Sequence, residues 1–355
     1  DIEQQDDMSV KVTCKDAIEN VGYVTYEKRN RKAHDKASDA EIAQMRSVIG
    51  SLGWIARQCH PELSYSVSKL QGVVSKATLK DLKETNGALD LAMNHAEDGI
   101  IFRSDAISWD DAIVVSVTDA SFAQEVEIEP DGRQKDHRTQ KAFMILLVSP
   151  EIVSNDSAGC HIWAWKSLTD KRVCRATLQG EAHGLLSGTE MGDRLRAIVS
   201  DLKGHITDMR NWYEQSVQHM GHIWLSDCES LVSHLKNPRN ERLENVRLSI
   251  DIQGLKQLLW ERSDGTPLDE LLPEAKCENA IRWIDTSCMV VDCLTKKMEA
   301  DVLIRLMRTG TLNLQATLQS EYAKLRKRKQ RKAKKLELKT QEMDHQTIGF
   351  LCFRA

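Results

Sequence analysis

The chain has 355 residues, 41% hydrophobic and 29% charged, which is enough to bury the core of two domains or of one large domain with extensions. A formal net charge of -4 and a pI of about 6.3 exclude a global basic field of the kind that marks many nucleic-acid binders, although the C-terminal end is locally strongly basic. Nine cysteines without a CxxC pair or a His/Cys cluster at zinc spacing read as small core residues in a reducing compartment, and the longest strongly apolar run, "AFMILLV", is too short to cross a bilayer.

Along the chain, "DIEQQDD" lacks both Met and a signal peptide, so the sequence is expected to be a piece of a longer polypeptide. Residues 1–40 are polar and charged and are expected to be loosely structured, with a short strand near "VGYVTYE". Ile49, Leu52, Ile55 and Ala56 then recur at helical spacing, Pro61 should stop that helix, and a second begins near Leu63. "TLKDLKETNGALDLAMNHAE" supplies a third, so residues 41–100 predict a small helical unit.

From residue 101 the texture changes. "AIVVSVTDA", "KAFMILLVSP" and "CHIWAWKSL" are β-rich runs between polar turns, preceded by "GIIFRSD". A long helix over "TLQGEAHGLLSGTEMGDRLRAIVSDLKGHI" follows, then the strand "HIWLSD", the helices "CESLVSHLKN" and "LSIDIQGLKQLLWER", the strand "NAIRWIDT" and a last helix over "VVDCLTKKMEADVLIRLMRTG". Three consecutive strands predict an antiparallel meander, and strands reached through helices predict parallel additions, so the class is α/β with a mixed sheet. Residues 311–340 are expected to be helical and end in "KLRKRKQRKAKKLELK", a solvated basic tail or a nucleic-acid contact.

Four acids occupy comparable positions: Asp119 in a strand, Glu181 in the long helix, Asp227 at the end of "WLSD" and Asp292 before "CLTKK". Each alone has an ordinary explanation as a cap, turn or exposed residue. Together in one cleft they would repel one another and raise their pKa values. Divalent cations relieve that repulsion, and Mg²⁺ suits hard oxygen ligands and substrate phosphates alike. Two such ions can activate a water and stabilise the leaving oxygen of a phosphodiester.

From Arg46 to Met298 the chain resembles the C-terminal part of a copia-type retrotransposon Pol polyprotein, the end of its reverse transcriptase followed by its ribonuclease H domain. "RSVIGSLGWIARQCHPELSYSVSKL" is similar to R-S-L-x-G-S-L-x-Y-L-A-x-x-x-R-P-D-I-x-x-A-V, with His60 and Glu62 in place of Arg and Asp. "TDASFA" is similar to S-D-A-D-W-A, "HIWAWKSLTDKRV" to I-S-W-x-S-K-K-Q-x-x-V, and "GEAHGL" to A-E-Y-x-A-L. "LSDCESLVSHLKNP" is similar to D-N-x-S-A-I-x-L-x-x-N-P, "SIDI" to H-I-D-I and "VVDCLTK" to A-D-x-x-T-K. Gln179, Cys228 and Ser249 depart from the family pattern, and no His lies between Asp251 and Asp292. "QQDDM" lacks the Tyr of a polymerase Y-x-D-D turn, so polymerase activity is not expected.

The resemblance implies a ribonuclease H-like mixed five-stranded sheet flanked by helices over residues 101–308. An N-terminal reverse-transcriptase remnant (residues 41–100) and a basic helical tail (residues 309–355) would complete the chain. It implies endonucleolytic hydrolysis of the RNA strand of RNA–DNA hybrids, with Asp119, Glu181, Asp227 and Asp292 as catalytic ligands of two Mg²⁺ ions, for which Mn²⁺ could substitute. The competing reading is a catalytically inactive nucleic-acid-binding or structural remnant of a decayed element. Expected contacts to the hybrid are Arg138, Thr139 and Lys166, with Lys327, Arg328 and Lys329 in the basic tail. Expected partners are the hybrid and the rest of the polyprotein, without a membrane, inside the cell in a cytoplasmic retroelement particle or the nucleus.

Overall fold

A computed structural model describes residues 1–27, 30–128, 134–237, 245–260 and 279–326, with 123–128 and 134–137 described by their backbone. Residues 1–20, expected to be loose, form β1 (Ile2–Gln4), β2 (Val10–Val12) and α1 (Lys15–Glu19), and no strand forms at "VGYVTYE". Three helices follow: α2 (Asp39–Gln58), α3 (Ser64–Val73) and α4 (Leu79–Asn94). α2 starts at a capping box, where the Glu41 N–H donates to Ser38 Oγ and the Ser38 N–H donates to Glu41 Oε2. Its buried stripe of Met45, Val48, Ile49, Leu52, Ile55 and Ala56 has the helical period, and Pro61 opens a short 3₁₀ turn between α2 and α3, as the sequence predicts. β3 (Ile100–Phe102) turns back and pairs antiparallel with β2, closing a three-stranded sheet with the N-terminus.

The main sheet is built from β4 (Ile113–Ile128), β5 (Gln134–Val148) and β6 (Ser157–Thr169), the antiparallel meander the sequence predicts. α5 (Thr177–Leu202) leads through α6 (Trp212–His219), a helix the sequence reading did not identify, to β7 (His222–Ser226), which pairs parallel with β4. α7 (Glu229–Lys236) and α8 (Val246–Trp260) precede β8 (Asn279–Trp283), which pairs parallel with β7. α9 (Asp301–Thr309) ends at Gly310, whose left-handed φ of 62° suits a residue without Cβ, and β9 (Thr311–Asn313) pairs with the start of β6.

Among the described residues the sheet order is therefore β8-β7-β4-β5-β6-β9, a mixed six-stranded sheet, one short edge strand more than the five expected. The last helix is also shorter than its pattern. Residues 286–288 and 292–294 form two 3₁₀ turns and α9 begins only at Asp301, with Thr295 and Lys296 binding carboxylates in between. The tail begins as strand β9 and is helical from residue 315 to 326; Lys327, Arg328, Lys329 and Pro238 lie outside the described residues.

Helices α2–α4 and one face of the sheet share a continuous apolar core. Leu52, Ile55, Leu63 and Leu70 lie in the same cluster as Val115, Val117, Met144 and Leu146. Trp165 Nε1 of β6 donates to the Ala56 carbonyl across this junction at 2.8 Å. On the opposite face α5 lies close against β4 and β5 because glycine recurs every four residues at Gly180, Gly184, Gly188 and Gly192. A Cβ at Gly188 would stand 2.4 Å from Thr118 Cγ2, and one at Gly192 would stand 2.3 Å from His222 Nε2. The stripe sets the distance of α5 from the sheet, and with it the position of Glu181 against Asp119. No helix among the described residues is long and apolar enough to cross a membrane.

Candidate active site

β4 reads Val114-Val115-Ser116-Val117-Thr118-Asp119, and strand periodicity assigns the two sets of side chains to opposite faces. Ser116 and Thr118 meet the glycine stripe of α5, and Ser116 Oγ donates to the Gly188 carbonyl at 3.1 Å. Val115 and Val117 enter the core shared with α2–α4. Asp119 follows with the same parity, at the end where β4 passes the last residue of its pairing with β7.

Three of the four predicted acids meet there. One carboxylate oxygen each from Asp119, Glu181 and Asp227 lies within 4.8 Å of the others. Asp119 is 4% exposed and Glu181 5%, while Asp227 is half-buried. β7 delivers Asp227 one residue past its end, in parallel register beside β4, which is why two carboxylates distant in sequence become neighbours. Asp227 Oδ2 accepts from Thr286 Oγ1 at 2.9 Å, and its carbonyl accepts from Trp283 Nε1 at 2.9 Å.

Asp292 stands in the 3₁₀ turn 292–294, 6% exposed, with Oδ1 2.8 Å from Lys296 Nζ. The same turn presents Thr295, whose Oγ1 donates to Asp119 Oδ2. It thus ties the fourth acid to the first through a hydroxyl and a cation, outside the mutual 4.8 Å group of the other three.

Burial dominates the electrostatics. It raises Asp119 to about 7, with the charges of Asp292 and Asp227 adding to the rise and the Thr295 hydrogen bond and Lys296 opposing it. Glu181 is pushed well above the ordinary carboxylate value by burial and then by Asp119 and Asp227. Asp227 is raised by burial and by Asp292, against the Thr286 hydrogen bond. Glu181 Oε2 is buried with no hydrogen-bond partner among the described residues. An orphaned carboxylate oxygen beside two crowded acids is what a cation would satisfy, so this donor set can hold a metal ion.

The predicted contact residues divide. Arg138 and Lys166 are exposed, and the Arg138 guanidinium lies near Gly72 of α3. Thr139 is 2% exposed, with its side chain facing the interior, and its carbonyl accepts the Asp170 N–H at 2.7 Å. Strand alternation turns Thr139 inward next to an outward Arg138.

The sequence reading gave no role to Thr295 or Lys296, although both stand in "DCLTKK", nor to Lys297 or the lysines of α3 and α4. An open cavity of about 790 Å³ lies between those helices and the Asp292 turn, lined by Lys69, Lys80, Lys83, Lys296 and Lys297. Glu62, Glu84 and Glu299 also line it, and Lys69 and Lys80 reach Glu84 at 3.5 and 3.8 Å. The signal was an unusual density of Lys in two segments far apart in sequence, joined only by the fold.

No protein-family model and no curated protein matches the sequence. Among solved structures, the chain is similar to the N-terminal RNase H domain of a Mycobacterium tuberculosis protein, solved as a fusion with maltose-binding protein. Identity is 10% and the TM-score 0.28, over 56% of this chain and 98% of that one. A TM-score of that size does not establish a shared fold, and the strand order and acid geometry stand without it.

Proposed function

We propose that the chain hydrolyses the RNA strand of RNA–DNA hybrids endonucleolytically, as the C-terminal part of a copia-type retrotransposon polyprotein. The observation that carries this reading is the convergence of Asp119, Glu181 and Asp227 from β4, α5 and β7, with Asp292 bridged to Asp119 through Thr295 and Lys296. The motif order from Arg46 to Met298 supports the same reading.

Asp119, Glu181, Asp227 and Asp292 would hold two Mg²⁺ ions, which would supply activation of water and charge neutralisation at the leaving 3′ oxygen. Asp119 takes part as the ionised carboxylate, which Thr295 favours by donating to Oδ2. Lys296 pairs with Asp292 at 2.8 Å and adds positive charge where a phosphate must approach acids. The cavity lysines would hold backbone phosphates of the hybrid without reading bases, and Arg138 and Lys166 would add contacts from the sheet side. Products with 3′-hydroxyl and 5′-phosphate ends are what the resemblance implies.

Cleavage of a labelled RNA–DNA duplex in Mg²⁺ or Mn²⁺ tests this. The wild-type chain should cut the RNA strand, and Asp119→Asn should lose that activity while remaining folded. Undiminished cleavage by Asp119→Asn sinks the assignment. A folded wild-type chain that binds the hybrid without cutting it would instead support an inactive remnant.

A further inference from the structure

The loop 170–176 joins β6 to α5 and carries Lys171, Arg172 and Arg175 exposed. Within residues 171–177 only Cys174 is buried. Its thiol turns inward to Asp170 Oδ2 at 3.7 Å and to His183 Nδ1 at 3.7 Å, and Asp170 Oδ2 stands 2.6 Å from His183 Nδ1. All three ligand atoms lie within 4.8 Å of one another. Behind them, Asp251 Oδ2 of α8 is 3.2 Å from His183 Nε2, and Arg172 pairs with Asp251 at 3.4 Å. Lys141 Nζ donates to Ser187 Oγ at 3.0 Å and lies 4.0 Å from Asp170 Oδ1, the oxygen that faces away from His183.

We propose that Asp170, Cys174 and His183 form a binding site for one zinc-type ion, separate from the acid cluster, with Asp251 orienting the imidazole. A thiolate, an imidazole nitrogen and a carboxylate are a donor set that selects Zn²⁺ over Mg²⁺ or Ca²⁺. Tetrahedral coordination with bonds of about 2.0–2.3 Å sets ligands about 3.3–3.6 Å apart, close to the two sulfur distances. The Asp170–His183 pair needs to open by about 0.7 Å, as an ion replaces the shared proton. A carboxylate on the far nitrogen of a ligating histidine fixes its tautomer and strengthens it as a ligand, and Asp251 holds that position. The three ligands leave a fourth position for water. The consequence is mechanical: the ion pins a short basic loop between β6 and α5, holding Lys171, Arg172 and Arg175 at a fixed place. The site does not depend on the hydrolytic reading, because it shares no ligand with the acid cluster.

The full chain is purified from zinc-supplemented medium, dialysed, and its zinc content measured, then titrated with Co²⁺. One zinc per chain is expected in the wild type and in Asp119→Asn. A thiolate-to-cobalt charge-transfer band is expected that disappears in Cys174→Ser and His183→Gln, with Asp251→Asn keeping the band but weakening affinity about 10–100-fold. Cys174→Ala replaces Cys174→Ser if the serine variant fails to fold by circular dichroism. A folded wild-type chain that takes up neither metal overturns the site, as does a cobalt band unchanged in a folded Cys174 variant. If hybrid cleavage fails while the zinc and cobalt results hold, the hydrolytic reading falls and this site stands.

Discussion

Asp119 shows how one residue can carry both a cost and a use. Its carboxyl is raised from an ordinary value of 3.8 to about 7, so the fold favours the protonated form. Its contribution to stability is complete below the unfolded carboxylate value and is lost as pH rises through about 7. With divalent metal chelated, Asp119→Asn is therefore expected to match the wild type near pH 4. Near pH 8 it should be more stable by on the order of 3 kcal/mol. Denaturant melts of both proteins at the two pH values check this, and a variant no more stable than the wild type at pH 8 would contradict the burial argument. Glu181 and Asp227 are shifted in the same direction, so the metal-free wild type should weaken further as they ionise. Asp119, Glu181 and Asp227 were legible as candidates because acids interrupt apolar or periodic segments there. Thr139, a polar residue beside Arg138, reads as surface until the strand is placed and turns it inward.

At the scale of elements, α5 decides the site. Its glycines cost helix propensity, about 1 kcal/mol each relative to alanine, and their return is close approach to β4. Gly188→Ala should gain that propensity and still lose stability, by about 1–3 kcal/mol net, because its Cβ would enter Thr118 Cγ2, a stiff β-branched group. Gly254→Ala in α8 is the matched control: nothing among the described residues lies within 4 Å of its Cβ, so it should stabilise by up to about 1 kcal/mol. Thermal melts of the two variants read the contrast directly, and equal shifts would refute it. The glycine recurrence was present in "QGEAHGLLSGTEMG", yet periodicity of apolar residues could not say which face was flush with a sheet. α6 escaped for a related reason, since "NWYEQSVQH" buries little beyond Ser216 and Val217 and has no strong stripe.

Across the whole molecule, the N-terminal helices and the sheet are joined by one core, by Trp165 donating to Ala56 and by Gln140 Nε2 donating to Ser68 Oγ. A chain beginning at residue 101 would lose the α2–α4 part of the cluster that also contains Val115, Val117, Met144 and Leu146. Such a truncation should bind a hydrophobic dye and melt without a cooperative transition, while the full chain melts cooperatively. A sharp calorimetric transition in the truncated chain would show that the sheet sustains itself alone. The lysine-lined cavity belongs to this scale too, since Lys69, Lys80 and Lys83 come from the helical unit and Lys296 and Lys297 from the turn beside the acids.

The meander, the parallel additions and most of the strands and helices after residue 40 were determined by the sequence, because alternation, helical period and punctuating residues act over a few positions. Tertiary structure alone decided which acids meet. It drew Asp119, Glu181 and Asp227 into one group, tied Asp292 in through Thr295 and Lys296, and turned the expected start of the last helix into 3₁₀ turns. It also brought Asp170, Cys174 and His183 together. The physical reason is the same in each case: charge and coordination depend on distances of a few ångströms across the fold, and those are set by how α5, β4 and β7 pack, not by neighbours along the chain.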